Sequence, residues 1–529
     1  MTSHTIQRLE EFEYKCQAIK YLLSGQYDVE SGQEMKVIVA SRPCAMLDML
    51  GEDVDTPVEI TGLSPEGMRN YVEKYSTEIS ALDVEVNEER LSLLNRLILP
   101  HEYLDEEDSG VTIKITEIEE AARSPVTLMM LCALTFCTDE PIPTSAASTA
   151  NAVLDYIVGV TGKKNKACTM SLVEKFGEVM YKALSSEMAD DDGGSIGQQR
   201  FLTAANIGAL AQQSEIDAGL GFVQARKVLD GTIMYDIVPS VLADVIVAKH
   251  LVKSGDPASY YDPELGDSMD MCCIMLGDKA GPILTTAAES AKAADDALEK
   301  KCGMAISLRL LSYTGTPSLA PLLSPAFDGE VNLEHIDCRY HELSGLSQIL
   351  AAGLNVTDLE LGWNGIGNAG VALLFEGIAV SPTLKKVDLT KNDISTGGAA
   401  AIAKALAVNK VLTDLRLSWN QIDNEGSTLL AEALKTNSTL KKLRLKNNSV
   451  GEEGAEQLAN MLRVNNTLEN LILWQNDIGN QGAAHLAEAL KVNTGLKELN
   501  VKKNGLEVDF EDFLCEAVKG KDDFKLGID

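Results

Sequence analysis

Residues 356–506 repeat one 28-residue unit without a gap, and a strict period of that length restricts a fold more than any composition does. Val356, Leu384, Leu412, Leu440, Leu468 and Leu496 open the units, and Asn364, Asn392, Asn420, Asn448, Asn476 and Asn504 each follow eight residues later. Each unit reads L-x-x-L-x-L-x-x-N-x-I, then a glycine (Gly370, Gly398, Gly426, Gly454, Gly482), then apolar residues such as Leu429, Leu430, Ala433 and Leu434. The first half alternates with period two and the second with a period near 3.6. The spacing predicts a short strand, a turn and a helix in every unit.

Leu415 and Leu417 would point inward from a strand too short to bury them, so each unit needs a neighbour above and below. At roughly 1.5–3 kcal/mol per buried aliphatic side chain, stacking several units is what outweighs the cost of ordering them. The asparagines have a different task. Where the strand ends, an amide can pair with backbone groups that neither sheet nor helix satisfies, and its loss should cost about 1–3 kcal/mol. They are read as structural residues and not as ligands.

This array resembles the ribonuclease-inhibitor class of leucine-rich repeats. The resemblance implies a horseshoe with parallel strands inside and helices outside, and no particular activity. The concave face would carry the strand residues between the leucines: Glu360, Lys386, Asp388, Arg416, Lys442, Arg444, Lys446 and Lys502, with Trp363, Trp419 and Trp474 at the strand ends. These are the chain's three tryptophans, and exposed Trp beside Arg is the composition of a binding hot spot. Midway between the strand leucines, Glu360, Asp388, Arg416, Arg444, Ile472 and Asn500 should stack in one column about 4.8 Å apart. The candidate partner-binding set is Glu360, Trp363, Asp388, Arg416, Trp419, Lys442, Arg444, Lys446 and Trp474. An acidic or phosphorylated protein surface would suit its basic, aromatic middle. The plainer alternatives are that Arg416 and Arg444 balance Asp388 and Asp414, and that each Trp packs over its neighbouring loop.

The formal charge of the chain is −33, yet residues 356–506 hold 16 Lys plus Arg against 16 Asp plus Glu, so the acidic excess lies outside the array. Such a chain is poorly suited to nucleic acid, which demands clustered Lys and Arg. The ten cysteines form no C-x-x-C pair, and with no apolar leader they read as reduced thiols of a cytoplasmic protein. No zinc site is visible. The longest apolar run, Val126 to Cys137, is too short for a membrane span. Asn-x-Ser/Thr triplets at Asn437 and Asn465 are read as parts of the repeat.

Ahead of the array, residues 5–24 have helical spacing and Lys36 to Ala40 reads as a buried strand, with Ser41-Arg42-Pro43 at its C-terminal end, where α/β sheets place ligand contacts. A second strand is expected at Val58 to Thr61, then a helix entered through Ser64-Pro65-Glu66. The order LLSG, VIVASRP, VEITGLSPEGMRNYVEKY, RSPVTLMMLCAL and PIPTS, over roughly residues 15–160, resembles the C-terminal half of the NACHT module of NOD-like receptors. The resemblance implies that Arg42 faces a nucleotide's terminal phosphate and that Pro125 lies near the adenine. A P-loop, G-x-x-x-x-G-K-[ST], is absent from the sequence, and half of a nucleotide site cannot transfer a phosphoryl group. Residues 168–255 resemble the winged-helix subdomain of the same receptors, with helices at Leu172 to Leu184 and from Tyr235 through Leu251. There the resemblance implies a β-phosphate-binding His, whose slot is filled by Pro239, and a Glu whose place is taken by Asp244. Leu333, Ile336, Cys338, His341 and Leu343 read as a shortened first repeat with His341 in the Asn slot, and Val508 to Val518 plus a charged tail as the C-terminal cap.

The expected fold class is α/β: residues 1–57 as the C-terminal part of a NACHT nucleotide-binding domain, 58–165 helical, 166–255 winged-helix-like, 256–330 helical again, and 331–529 leucine-rich repeats with caps. The expected function is non-catalytic recognition of a protein or microbial ligand in innate immune signalling, with no cofactor; ATP or ADP enters only if a P-loop precedes this sequence. Alternatives are a fragment of an ATP-dependent NACHT switch, and a small-GTPase activator or ribonuclease inhibitor of the same repeat class.

Overall fold

The structure, a computed structural model, describes residues 267–528 except 522, and before them 65–80, 87–98, 125–138, 142–143, 146–164, 202–203, 223–227, 233–237 and 241–254, with parts of a helical stretch at 173–181. Save Pro65 and Glu66, these belong to one compact unit, Gly67–Asp529. Arg42, Pro239 and the strands expected at Lys36 to Ala40 and Val58 to Thr61 lie outside the described residues.

The N-terminal part begins with helices α1 (Pro65–Ser80), α2 (Glu88–Ile98), α3 (Pro125–Cys137) and α4 (Ala146–Lys164). Pro65 opens α1 as the Ser-Pro-Glu signal predicts, its missing N–H being one that the first turn leaves unbonded anyway. The apolar run of α3 is buried from Met130 to Cys132, and no described helix is long and apolar enough to cross a membrane. Strands β1 (Leu202–Thr203), β2 (Val223–Lys227) and β3 (Ile233–Ile237) form an antiparallel sheet in the order β1-β3-β2. Tyr235 to Ile237, expected to lead a helix, is therefore strand, and the helix α5 starts only at Val241 and runs to Ser254. The β-branched and aromatic content of Ile233, Tyr235 and Ile237 and their pairing with β2 account for the difference.

Helices α6 (Asp267–Leu276), α7 (Gly281–Ala293) and α8 (Ala297–Thr314) lead to the repeats. Asp296 caps α8 by accepting from the N–H groups of Leu298 and Glu299, and Gly315 ends it in a left-handed conformation. The core passes from these helices into the repeats without a break. At the junction a Cβ on Gly345 would lie 2.1 Å from the carbonyl oxygen of Leu308, so only glycine lets the two helices meet backbone to backbone.

The repeats follow as β4 (Gly329–Asn332), α9 (Tyr340–Ala351), β5 (Val356–Glu360), α10 (Gly367–Val380), β6 (Lys386–Asp388), α11 (Thr396–Val408), β7 (Asp414–Arg416), α12 (Asn424–Thr436), β8 (Lys442–Arg444), α13 (Glu452–Leu462), β9 (Asn470–Ile472), α14 (Gly479–Val492), β10 (Glu498–Asn500), α15 (Val508–Ala517) and β11 (Lys525–Gly527). All eight strands pair in parallel with their sequence neighbours, and from β5 to β10 each residue meets the one 28 later. Leu412, Leu415, Leu417, Ile422, Leu430 and Leu434 show what a unit buries between its strand and its helix. The recurrent glycine has a steric cause. A Cβ on Gly398 would sit 2.6 Å from the Ile394 γ-methyl, and one on Gly482 would sit 2.6 Å from that of Ile478 and 2.8 Å from Ala455 Cβ.

The asparagine ladder is present in detail. Asn420 is buried; its Nδ2 donates to the carbonyls of Leu389 (2.9 Å), Leu417 (3.1 Å) and Ser418 (3.2 Å), and its Oδ1 accepts from the N–H groups of Asn392 and Ile394, both at 3.0 Å. A second ladder runs along the other end of the strands and had no place in the sequence reading. Asn409, Asn437, Asn465 and Asn493 are buried, and each donates to a carbonyl of the helix one repeat earlier than the helix it follows, while accepting from the next strand's entry. The amides of Asn437 and Asn465 are thereby consumed inside the fold, so their Ser/Thr triplets are not glycan acceptors in the folded chain.

Both ends differ from expectation. The first repeat is not shortened: β4 pairs with β5 in the 28-residue register, through one irregularity at Gly329/Glu330. Ile336 occupies the Asn slot, its N–H bonded to Asn364 Oδ1 at 3.0 Å. His341 lies in α9 instead, stacked on Tyr313 at 4.0 Å with Nδ1 3.2 Å from Ser312 Oγ. At the other end the charged tail becomes β11, whose Gly527 carbonyl accepts from Val501 N–H at 2.8 Å.

Two outcomes are expected. Asn420→Ala strands several buried backbone groups and should cost about 3 kcal/mol in chemical denaturation; a cost within error of zero would refute the buried ladder. Burial, helped by the charge of Arg309, pushes the His341 imidazole down to about 4. A ring kept neutral by the fold contributes stability that is whole above its ordinary pKa near 6.5 and is lost as pH falls from there through about 4, up to about 3 kcal/mol. Melting followed against pH should show this loss, and His341→Phe should flatten it.

Candidate functional site

The open face of the sheet, opposite the helices, is built from two columns that the parallel register fixes. One runs Asp358, Lys386, Asp414, Lys442, Asn470, Glu498; the other runs Glu360, Asp388, Arg416, Arg444, Ile472, Asn500. Most of their charge is internally paired. Lys386 Nζ lies 3.0 Å from Glu360, whose other oxygen accepts from Asn332 at 2.8 Å. Arg416 Nη1 bonds Asp388 at 3.1 Å, and Arg444 Nη1 bonds Asp414 at 3.1 Å, with Arg416 Nε 3.8 Å from the same Asp414. Asp388 and Asp414 are buried beneath these guanidinium groups. Four of the residues singled out in the sequence, Glu360, Asp388, Arg416 and Arg444, thus hold the floor of the sheet together. Lys442 is exposed and has no carboxylate partner among the described residues.

The unspent chemistry lies along the rim, at the C-terminal ends of the strands. The residue before each ladder position, Ile336 or an asparagine, is left-handed: His335, Trp363, Lys391, Trp419, Asn447, Gln475 and Lys503 have φ between 53° and 61°. A bulky side chain there is strained, whereas Asn tolerates it. Trp363 and Trp419 nonetheless occupy it and are 49% and 45% exposed. Trp474 stands one residue earlier in its unit and is half-buried. The rings and ammonium groups form a row: His335 stacks on Trp363 at 5.3 Å, and Lys391 lies 3.6 Å over Trp363. Lys446 lies 5.7 Å from Trp419 and 4.1 Å from Trp474, and Lys503 is 4.6 Å from Trp474. Cation–π contacts of this kind hold an ammonium in place without neutralising it. Lys391, Lys446 and Lys502 have no carboxylate partner among the described residues.

Of the candidate residues, Trp363, Trp419, Trp474, Lys442 and Lys446 are therefore the ones that no carboxylate pairs among the described residues. Lys502, already placed on this face from the sequence, lies beside them, as do His335, Lys391 and Lys503, which escaped notice in the sequence. Reading every 28-residue column, and not only those between the leucines, would have found them.

Pro125 opens α3. Other groups are absorbed by the fold. Asp244 is buried and accepts from Ser268 Oγ at 3.0 Å. Cys132 and Cys272 are buried thiols pushed up to about 12 by desolvation, which makes them poor nucleophiles. A depression on the helical side is lined by Asp423, Asn424, Glu425 and Glu453. Its polar groups cap helices: Asp423, held below the usual carboxylate range chiefly by the Gly426 N–H, accepts that bond at 2.8 Å, and Asn424 Oδ1 accepts from Gly451 and Gly454. Among the described residues no group of His, Cys, Asp and Glu is placed to hold a metal ion.

Residues 354–375, 380–403, 408–431 and 436–459 match the Leucine Rich repeat family. The array is thus one of leucine-rich repeats, a class whose usual work is protein binding. No curated protein matches the chain.

Asp414→Asn removes the carboxylate that serves Arg444 while Arg416 keeps Asp388. The expected loss is about 1–3 kcal/mol in chemical denaturation, between that of an exposed and a fully buried pair. Coupling measured against Arg444→Gln should account for most of it; independent, additive effects would refute the pairing.

Proposed function

We propose that the chain is a non-catalytic recognition protein of the NOD-like receptor kind, acting in the cytoplasm, whose leucine-rich repeats hold a protein or microbial ligand against the open face and rim of the sheet. The observation that carries this reading is the pair of exposed tryptophans, Trp363 and Trp419, at a strained backbone position where nothing in the fold asks for an aromatic, with Lys391 and Lys446 beside their rings and without a carboxylate partner among the described residues. The floor beside it is already neutral through its own ion pairs. Aromatic anchors flanked by cations favour an acidic partner surface.

The receptor-like part of the proposal rests on the motif order over residues 15–160 and on the sequence that follows it. With Arg42 and Pro125 as its remnant nucleotide contacts and no P-loop in the sequence, the chain neither needs nor turns over ATP in this reading. An ATP-dependent switch remains the alternative for a longer chain that supplies a P-loop.

The test is capture from cytosolic extract with full-length chain. Trp363→Asn, Trp419→Asn and Lys446→Ser are combined, since Asn447 and Ser418 show that the repeat accepts those residues in those slots. The partner bound by the parent should be lost from this variant at unchanged melting temperature. Full retention would move recognition to the helical side or to the acidic N-terminal part.

A further inference from the structure

Resting on the open face as the recognition surface, we infer that the part of it built by β8, β9 and β10 is a phosphomonoester site, and that the ligand held there is a phosphorylated serine or threonine of a partner protein. The open-face residues of these strands form a panel of three columns. Lys442, Asn470 and Glu498 share one column, and Arg444, Ile472 and Asn500 the next. The third is Lys446, Trp474 and Lys502, aligned because Asn447 N–H donates to the Trp474 carbonyl at 2.9 Å and Gln475 N–H to that of Lys502 at 2.8 Å. Leu443, Leu445, Leu471, Leu473, Leu499 and Val501 alternate with them and are buried, so the whole panel stands on one side of the sheet.

Charge divides the face at this point. The equivalent panel on β5 to β7 has four carboxylates, Asp358, Glu360, Asp388 and Asp414, against Lys386 and Arg416. On β8 to β10 there are four cations, Lys442, Arg444, Lys446 and Lys502, against Glu498, which accepts from Asn470. Arg444 turns back to Asp414, whereas Lys442, Lys446 and Lys502 have no carboxylate partner among the described residues. Lys446 and Lys502 stand on either side of Trp474, two strands and so about 9.6 Å apart at the backbone, and Lys446 Nζ is held 4.1 Å from that ring. A carboxylate has two oxygens in one plane and satisfies one ammonium well. A phosphoryl dianion carries three terminal oxygens around a tetrahedral centre and accepts from two ammonium groups that approach from different sides. Planar carboxylate recognition is the work of Arg, and both Arg of these strands are tied to Asp388 and Asp414. What remains for a ligand is lysine, beside the neutral amide of Asn500, whose Oδ1 accepts from Lys502 N–H at 3.1 Å.

The full chain is titrated, by fluorescence anisotropy, with a labelled peptide of Gly and Ala residues around a central phosphoserine, serine or glutamate. The phosphoserine peptide should bind and the serine peptide should not, with glutamate at least about tenfold weaker than phosphoserine. Affinity for phosphoserine should rise with pH through about 6, where the phosphate takes its second charge; β8 to β10 and the turns after them contain no histidine that would titrate in that range. Lys446→Ser and Lys502→Ser, at a column that holds Ser418 two units and one unit nearer the first repeat, should each weaken binding about tenfold at unchanged melting temperature. Lys410→Ser, at an exposed lysine in the loop between α11 and β7 whose place Ser438 takes one unit later, should leave it unchanged. Glutamate equal to phosphoserine, an equal loss with Lys410→Ser, or no binding of phosphoserine overturns the inference. If the phosphopeptide fails while extract capture still depends on the rim variants, the phosphoryl assignment alone falls. If capture is also indifferent to the rim, the proposed function falls with it.

Discussion

The structure depends on buried amides that stitch one repeat to the next. A strand of three residues, such as Asp414–Arg416, makes too few ladder bonds to fix its own register, and a slip by one residue would turn Leu415 out of the core. Asn420 removes that freedom, because its amide reaches Leu389 in the preceding unit and also holds Leu417 in its own. The second set does the same at strand entry: Asn437 donates back to Leu406 and accepts from Leu440. Each short strand is thus clamped at both ends by a group that satisfies backbone donors and acceptors no regular element would reach.

That double clamp also fixes the rim. The residue preceding each ladder asparagine must turn left-handed so that the amide can point inward, and the strain recurs in every unit irrespective of side chain. A side chain placed there projects from a backbone with little freedom, at a spacing set by the sheet. Recognition groups on such a frame lose less entropy on binding than groups on a mobile loop. The cation–π contacts extend the same ordering to the lysines.

Much of this was legible from the period alone, because leucine, asparagine and glycine answer to packing and hydrogen-bonding needs that repeat identically. Legibility failed where those needs change. At the first unit no further repeat precedes it, so the Asn slot holds Ile336, and His341 offered a polar decoy whose ring instead packs on Tyr313. The second ladder was hidden because two of its asparagines, Asn437 and Asn465, fall in Ser/Thr triplets and all four lie in the loops between helix and strand. Strand β11 was hidden because Lys525–Gly527 gains its conformation from β10 and has no pattern of its own. On the candidate site, the columns were correct in register, and the plainer alternative, that Arg416 and Arg444 balance Asp388 and Asp414, is the one the ion pairs follow, with the Arg444 pairing running diagonally between columns. The readings that involve Arg42 and Pro239 lie outside the described residues.

Where sequence is free to vary follows from the same accounting of needs. In each unit the inward leucines, the two ladder positions and the helix glycine are fixed by the fold. The floor positions of the sheet are next, because side chains there stand close enough that unlike charges pair and like charges repel; Asp388, Asp414, Arg416 and Arg444 have settled into such a set. Only the rim positions carry neither obligation, and there the chain has placed its three tryptophans together with Lys391 and Lys446, which no carboxylate answers among the described residues. An aromatic at a left-handed residue is a worse choice for stability than the Asn447 found one unit after Trp419, so how the array folds does not account for Trp363 and Trp419.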